Sequence, residues 1–270
     1  MKPVVILSGG VGSRMEEVGK LIPKFLLPVN SEILLLRTLR QAHEAGYDRV
    51  IICTKEEYSE EMTNLIDHFE NEDKKIDIII SQPTLVDSLR EIEKLLPVQK
   101  EFILVLGDIF YVDNPFLGLM KKEGSGDLLV GKKILDETEL TRGGVIEREY
   151  EGKIKRVVKK PTTEIKQGVR WSGMALCGEN FFLDLDELAI NIAPSQFSLE
   201  DIFEYRNIKY HNSQIKDNTD FVNINSPYHH IYANLMALAY NNPIDEKVKN
   251  VVSLCAVEIR DLILRSGQQL

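Results

Sequence analysis

The chain has 270 residues, 43% of them apolar and 28% charged, with a formal net charge of −9. The length suits one large α/β domain with an ample core, or one domain with an appendage, and leaves no room for a regulatory or acyltransferase-type second domain. The acidic balance excludes a dedicated binder of nucleic acid or anionic membrane, which would show a basic surplus; any phosphate site has to be locally basic. Cys53, Cys177 and Cys255 are odd in number and far apart, which reads as reduced thiols rather than a disulfide or a metal set. The N-terminal apolar run is too short for a signal peptide or a membrane span. The expectation is a cytoplasmic protein with no nucleic-acid and no membrane partner.

Val4 to Leu7 are four consecutive β-formers bounded by glycine, the pattern of a short strand buried on both faces. Ser31 is placed to cap a helix with Ile33, Leu35, Leu36 and Leu39 on one face, and Gly46 sits where a left-handed C-cap belongs. Val50 to Cys53 form the next strand, a polar helix-favouring run extends from Glu56 to Glu70, and Ile76 to Ile80 form a third strand. Thr84 and Asp87 make a weak capping box for a helix carrying Leu85, Leu89, Ile92 and Leu96 up to Pro97. Phe102 to Leu106 is the fourth strand and delivers Gly107-Asp108 to the carboxyl edge of the sheet. Strands and helices alternate here as a parallel sheet with right-handed crossovers requires.

Past Asp127 the rhythm changes. Asp127 to Lys132 and Trp171 to Cys177 read as strands, and Val145 to Arg148 with Ile154 to Val158 as a hairpin around Glu151-Gly152. None of these needs a long crossover, so an antiparallel or mixed portion is expected to lie over the parallel half. Ser198 with Asp201 opens a short helix. Phe221 to Asn225 form a last strand, followed by a helix capped by Ser226 with Pro227 at its first position. His229 and His230 adjoin on that helix and face different directions, which argues against a shared metal. Asp245 to Leu264 form a helix whose wide face of Val248, Val251, Val252, Cys255, Ile259 and Leu262 needs a partner surface, either its own domain or a second subunit.

The chemistry concentrates at the start. Gly9, Gly10 and Gly12 leave the backbone bare after the first strand, so its N–H groups can turn toward an anion where α/β sheets bind phosphates. Arg14 adds charge at the same mouth, and so does Lys24 in Pro23-Lys24-Phe25-Leu26-Leu27-Pro28. The physical reading is a polyphosphate site. The loop lacks the Lys-Ser/Thr of a Walker A motif and the spacing of the dinucleotide fingerprint. Strand, Gly-Gly-x-Gly-x-Arg, short gap and Pro-Lys-x-x-x-Pro together resemble the sugar-phosphate nucleotidyltransferases, of the glucose-1-phosphate thymidylyltransferase and uridylyltransferase kind, over roughly residues 1 to 240.

That resemblance implies a Rossmann-like three-layer α/β fold, GT-A-like, with a mixed central sheet and a C-terminal helical tail. Residues 1–126 would be the nucleotide-binding half, 127–225 the acceptor-binding half and 241–270 the tail. It implies a magnesium-dependent condensation of an NTP, a pyrimidine one, with a phosphorylated sugar or alcohol, releasing pyrophosphate. A phosphomonoester has a second pKa near ~6 and is already a dianionic nucleophile near neutral pH, so no catalytic dyad is needed and none is visible. Leu7, Ser8, Gly9, Gly10, Gly12 and Ser13 would hold the nucleotide with Arg14 on the pyrophosphate end, and Lys24 would reach the α-phosphate. Asp108 is the expected magnesium ligand, with Asn223 as second ligand and Asn225 and Asp220 as rivals. Gln82 takes the place of the Gln that reads the pyrimidine edge, but Val86-Asp87-Ser88 stands where Gly-Thr-Ala is usual.

On the acceptor side, Lys160 matches the Lys that grips the acceptor phosphate, and Gly144 the Gly that faces the acceptor ring. The usual Glu-x-Asn-x-Gly is Val169-Arg170-Trp171-Ser172-Gly173, and Val169 cannot accept bonds from sugar hydroxyls. Trp171 suits a less hydroxylated or cationic acceptor such as phosphocholine; an unusual sugar or inositol phosphate is equally consistent, and so is an ordinary core tryptophan. Two other readings stay open: a glycosyltransferase of similar topology that uses a nucleotide sugar, and a sensor that keeps the nucleotide pocket without the chemistry.

Overall fold

A computed structural model describes residues 2–10, 15, 22–67, 75–97, 101–119, 126–134, 144–149, 153–159, 165, 168–241 and 246–265. The first part of the chain supplies β1 (Val4–Leu7), the short pair β2 (Pro28–Val29) and β3 (Glu32–Ile33), α1 (Leu34–Glu44), β4 (Arg49–Thr54), α2 (Ser59–Asp67) and β5 (Lys75–Ile80). There follow α3 (Leu85–Glu93), β6 (Phe102–Leu106) and β7 (Ile109–Tyr111). The second part adds β8 (Leu128–Lys133), β9 (Val145–Arg148), β10 (Ile154–Val158), β11 (Gly168–Cys177), α4 (Phe181–Ala189), α5 (Leu199–Tyr210), β12 (Gln214–Lys216) and β13 (Phe221–Asn223). The helices α6 (Pro227–Asn241) and α7 (Glu246–Arg265) close it.

Strands that are continuous apolar runs have to be covered on both faces, and β1, β6 and the Val50 to Cys53 stretch of β4 are. β1 lies between β4 and β6, all parallel, in register Val4↔Val50 and Val4↔Ile103, with β5 beyond β4. Alternation sends Val5, Ile51 and Leu104 into one core cluster, which takes in Leu89 of α3, Phe181 of α4 and Phe203 of α5. Val4, Ile6, Val50 and Ile52 face the other side, against Leu35 and Leu39 of α1 and Met62 of α2. The free edge of β6 would leave a row of unpaired backbone groups, and β11 covers it, antiparallel, with Met174 opposite Val105.

That pairing corrects one expectation. The antiparallel part does not lie over the parallel half but extends the same sheet edgewise, in the order β10-β9-β11-β6-β1-β4-β5, with β8 and then β12 branching from β11. β11 changes neighbour along its length: Gly168 to Arg170 pair with β9, and Met174 to Cys177 with β6. Gly173 stands at the change with φ 73°, and a side chain there would meet Leu106 Cδ1 at 2.8 Å. The sheet therefore opens between the end of β6 and the start of β9, beside Trp171 to Gly173.

The caps at Thr84 and Ser198 form as read: Thr84 Oγ1 accepts from Asp87 N at 3.1 Å, and Ser198 and Asp201 make a full capping box. Ser31 does not cap α1. With Asn30 it makes the turn of the β2–β3 hairpin (φ 50° and 68°), a conformation asparagine tolerates better than serine. Of the stripe read on α7, Val251, Cys255 and Leu262 are exposed and Val252 and Ile259 half-buried, so its own domain covers only part of it; Ala256 and Ile263 are the buried residues, and Leu254 and Val257, outside that stripe, are exposed as well. Among the described residues no helix is long and apolar enough to cross a membrane.

Candidate active site

A pocket of about 400 Å³ opens at the carboxyl edge of β1, β5 and β6. Leu7, Cys53 and Leu106 line it with Ser8, Gly9 and Gly10 after β1, Ser81 to Leu85 after β5, Gly107 and Asp108 after β6, and Lys24. The strand ends are tied into a shelf by Ser8 N to Cys53 O (2.7 Å), Gly107 N to Leu7 O (2.9 Å) and Ser81 N to Thr54 O (2.7 Å). One glycine is required by close approach. A Cβ on Gly107 would sit 2.3 Å from Ser8 Oγ, whereas one on Gly9 would meet Ser81 at 3.4 Å, an ordinary contact. Ser8 Oγ is buried with no hydrogen-bond partner among the described residues, a polar group left over at the mouth of the glycine loop. Gly12, Ser13 and Arg14, expected at the same mouth, lie outside the described residues.

Lys24 reaches the pocket from a short 3-10 turn, Lys24–Leu26, that follows Pro23. Phe25 in the turn and Leu27 just after it are buried, and Phe25 packs edge-on against Tyr58 at 5.9 Å. With its neighbours anchored inward, Lys24 points to the site. Its ammonium donates to Asp108 Oδ2 at 3.0 Å and to Asn225 Oδ1 at 2.9 Å. Asn225 comes within reach because β13 pairs antiparallel with β7, Asn223 opposite Ile109, and Ile224 N bonds to Asp108 O at 3.0 Å. Of the candidate second metal ligands, Asn225 shares a cation with Asp108 in the structure. Asn223 Oδ1 is buried with no partner among the described residues, while Asp220 lies near Lys132 at 3.9 Å.

The loop after β5 is fastened by Ser88, whose Oγ accepts from Gln82 N at 2.8 Å and donates to Thr84 O at 3.0 Å. Gln82 itself is exposed at the pocket, its Nε2 resting on Ile80 O at 3.2 Å. Val86, Asp87 and Ser88 belong to the first turns of α3, with Val86 in the core and Asp87 on the cap. Cys53 is buried below the pocket, and burial pushes its thiol up to about 11.

At the expected acceptor side, Gly144 precedes β9 and its carbonyl accepts from Trp171 N at 2.9 Å. Trp171 is 7% exposed, its Nε1 donates to Met174 O at 2.9 Å, and Phe203 meets its ring edge to face at 5.5 Å. The indole is thus committed to the core beneath Gly144 and offers no open face for a cation, which corrects the cation–π expectation. Val169 is likewise in the core. Lys160 lies outside the described residues.

One acidic side chain here escaped the sequence reading. Glu200, in the first turn of α5, has Oε1 so near Gly144 that a Cβ there would lie 2.9 Å away. Burial raises its carboxyl above the ordinary glutamate range, with the Ser198 hydroxyl, its own backbone N–H and the Lys159 charge pulling the other way. The capping box announces the helix but not the direction of this residue, which only the docking of α5 on β10 determines.

A carboxylate and a lysine meeting at the carboxyl edge of the parallel strands of a mixed sheet, beside a bare glycine backbone, define a nucleotide-binding α/β enzyme of phosphate transfer. The sequence profile of the nucleotidyl transferase family matches residues 3–192, and the protein belongs to that family. It is 26% identical over 213 residues to UTP–glucose-1-phosphate uridylyltransferase 2 of Staphylococcus saprophyticus, covering 66% of this chain and 70% of that protein. Its fold matches, at TM-score 0.75 and 18% identity, a Bacillus anthracis structure described as a glucose-1-phosphate thymidylyltransferase, over 91% of this chain and 98% of that one. It also matches the inositol-1-phosphate CTP transferase from T. maritima at TM-score 0.67 and 15% identity, over 94% and 95% of the two chains.

Proposed function

We propose that this nucleotidyltransferase joins the nucleotidyl group of a pyrimidine NTP to a phosphorylated sugar or alcohol, with Mg²⁺, and releases pyrophosphate. The observation that carries the reading is the Lys24 ammonium held between Asp108 and Asn225 at the mouth of the glycine loop. In this reading residues 1–126 bind the nucleotide and 127–225 the acceptor. The acceptor phosphate is already an adequate nucleophile, so what the chain supplies is alignment and cancellation of charge. The backbone N–H groups of Gly9 and Gly10, with Gly12, Ser13 and Arg14, take the leaving pyrophosphate. Lys24 follows the α-phosphate as charge builds there, and Gln82 meets the base.

The donor set fits magnesium. Asp108 and Asn225 present one carboxylate and one amide oxygen to a single cation, and both are the hard oxygen ligands that Mg²⁺ takes alongside substrate phosphates. Bound there, the metal supplies charge neutralisation between two anions that would otherwise repel. Gly144 and Lys160 take the acceptor ring and phosphate, over the buried wall of Trp171. The opening of the sheet along Trp171 to Gly173 supports this division, since it sets the end of β6, which leads to Asp108, apart from the start of β9, which follows Gly144.

The reading also assigns the outward stripe of α7 to a homo-oligomer contact with a second copy of the chain, and the enzyme to the cytoplasm, where its three cysteines stay as the thiols seen in the structure. The test is pyrophosphate release with Mg²⁺, crossing the four ribonucleotide triphosphates and dTTP with sugar 1-phosphates, inositol 1-phosphate and phosphocholine. Release that depends on one nucleotide and one acceptor, and is lost in Asp108→Ala, is the expected result. Release from no pair, despite measurable nucleotide binding, would overturn it.

A further inference from the structure

Three residues from separate elements meet at the acceptor edge. β9 and β10 pair with Val145 opposite Val158, so Gly144 and Lys159 flank the same end of the hairpin. α5 is pinned across that hairpin by Glu204 Oε2, which accepts from Val157 N at 2.5 Å, and by Asn207 Nδ2, which donates to Ile154 O at 3.3 Å. This docking brings the first turn of α5 down beside Gly144. Leu199 lines the nucleotide pocket, and the next residue, Glu200, turns its Oε1 to the Cα of Gly144. The glycine leaves room for the carboxylate that any larger residue at 144 would displace.

Among the described residues the carboxylate has few donors of its own. Its company is the Ser198 hydroxyl, its own backbone N–H and the more distant Lys159 charge, and the single Ser198 proton is also directed at Asp201 Oδ2, 2.8 Å away. A carboxylate has about four lone-pair positions, and one partly withdrawn from water gains from a donor that arrives with a ligand. Val169 and Trp171, which stand in place of the family's usual Glu-x-Asn, are both in the core. The hydrogen-bonding capacity missing from β11 is therefore present on α5.

We propose that Glu200 is a specificity-determining residue of the acceptor site, its carboxylate accepting a hydrogen bond from a hydroxyl of a sugar or inositol phosphate held over Gly144. This rests on the transferase reading above for the location of the acceptor, and it names the acceptor class: polyhydroxylated, in preference to phosphocholine, which has no hydroxyl to donate. The buried indole of Trp171 removes the aromatic surface a quaternary ammonium would need, and Lys159 at the same edge opposes a second cation.

The experiment compares wild type, Glu200→Gln and Glu200→Leu with glucose 1-phosphate, inositol 1-phosphate and phosphocholine. Steady-state pyrophosphate release is measured with the nucleotide that supports turnover, and acceptor binding by calorimetry. Thermal melting checks that each variant folds. The expected result is a wild type that prefers a hydroxylated acceptor, with acceptor KM raised about 10-fold or more in Glu200→Leu and by less in Glu200→Gln, whose amide oxygen still accepts. KM for the NTP stays unchanged, which separates recognition from a structural effect on the shared pocket. If Glu200→Leu does not fold, Glu200→Gln decides by the same ratio of acceptors. If wild type turns over no pair, the transferase reading fails, and calorimetry still decides this one: hydroxylated phosphates that bind and lose affinity in the variants uphold it. Wild type that binds phosphocholine as well as the hydroxylated ligands, or binds none of the three, or variants with unaltered preference, would overturn it.

Discussion

Lys24 holds the same two oxygens that a divalent cation would use, so in the proposed reaction the ammonium and the metal have to divide the charges at this mouth between them. Its stem is long and mobile, while its backbone is fixed by Phe25 and Leu27, both buried. Removing a donor aimed at developing charge lowers turnover by about 10²–10³-fold, or ~3–4 kcal/mol. Lys24→Ala is expected to lose kcat by that order while nucleotide affinity moves only a few-fold. A sensor would show the reverse, a change in binding with no turnover to lose, and calorimetry beside a pyrophosphate assay separates the two. Asn225 makes a second prediction. A neutral amide binds Mg²⁺ less strongly than a carboxylate, because ligand charge sets affinity at hard-cation sites. Asn225→Asp is expected to lower the Mg²⁺ concentration for half-maximal turnover by roughly tenfold, or ~1.4 kcal/mol. An unchanged or higher requirement would show that Asn225 holds Lys24 and nothing more.

At the scale of elements, the turn between β6 and β7 decides where Asp108 points. Gly107 packs against Ser8 Oγ and lies 3.2 Å, by its absent Cβ, from the backbone carbonyl of Leu7. A methyl group there cannot be accommodated by rotating Ser8 alone, and overpacking of this kind costs about 1–3 kcal/mol. Gly107→Ala is expected to lower the melting temperature modestly while displacing Asp108 enough to abolish most magnesium-dependent turnover; full activity in the folded variant would remove Asp108 from the metal site. The strands β1, β4 and β6 were legible in the sequence because parallel strands covered on both faces are nearly continuous apolar runs, and the edge strand β5 because isoleucines fill most of its length. The caps at Thr84 and Ser198 were legible because they are local chemistry. β7 and β12 are three residues each and exist only through their pairing with distant strands. α4 starts at Asn180 without a side-chain cap bond, so nothing local announces it. The same limit applied at the site. Lys24 and Asp108 could be read from their neighbours, but Asn225 is 201 residues from Lys24, and only the β7–β13 pairing tells it from Asn223. Trp171 was undecidable because a strand pattern does not say which face is covered, and here Phe203 of α5 covers the indole.

For the molecule as a whole, the extended sheet puts the proposed nucleotide shelf on parallel strands and the proposed acceptor edge on antiparallel ones, joined through the single long strand β11. In the proposed reaction one continuous sheet would carry both substrates, so their alignment would not depend on a hinge between separate bodies. What the fold leaves unfinished is the surface of α7. Val251, Leu254 and Val257 are 59%, 66% and 45% exposed, and they are symmetric about Leu254. A two-fold axis across the helix at that point would set Leu254 against its own copy and Val251 of one chain against Val257 of the other, the self-complementary arrangement an isologous dimer needs. The expected outcome is a dimer for wild type by sedimentation at micromolar concentration and a monomer for Leu254→Glu, which buries two like charges at the axis. Turnover should survive that change, because α7 reaches the site only indirectly, through α6 and the turn that carries Asn225. A monomeric wild type would show that the stripe is not an interface between copies. A monomeric variant with lost turnover would mean instead that the dimer steadies the Asn225 turn, and that assembly is part of how the metal site is held.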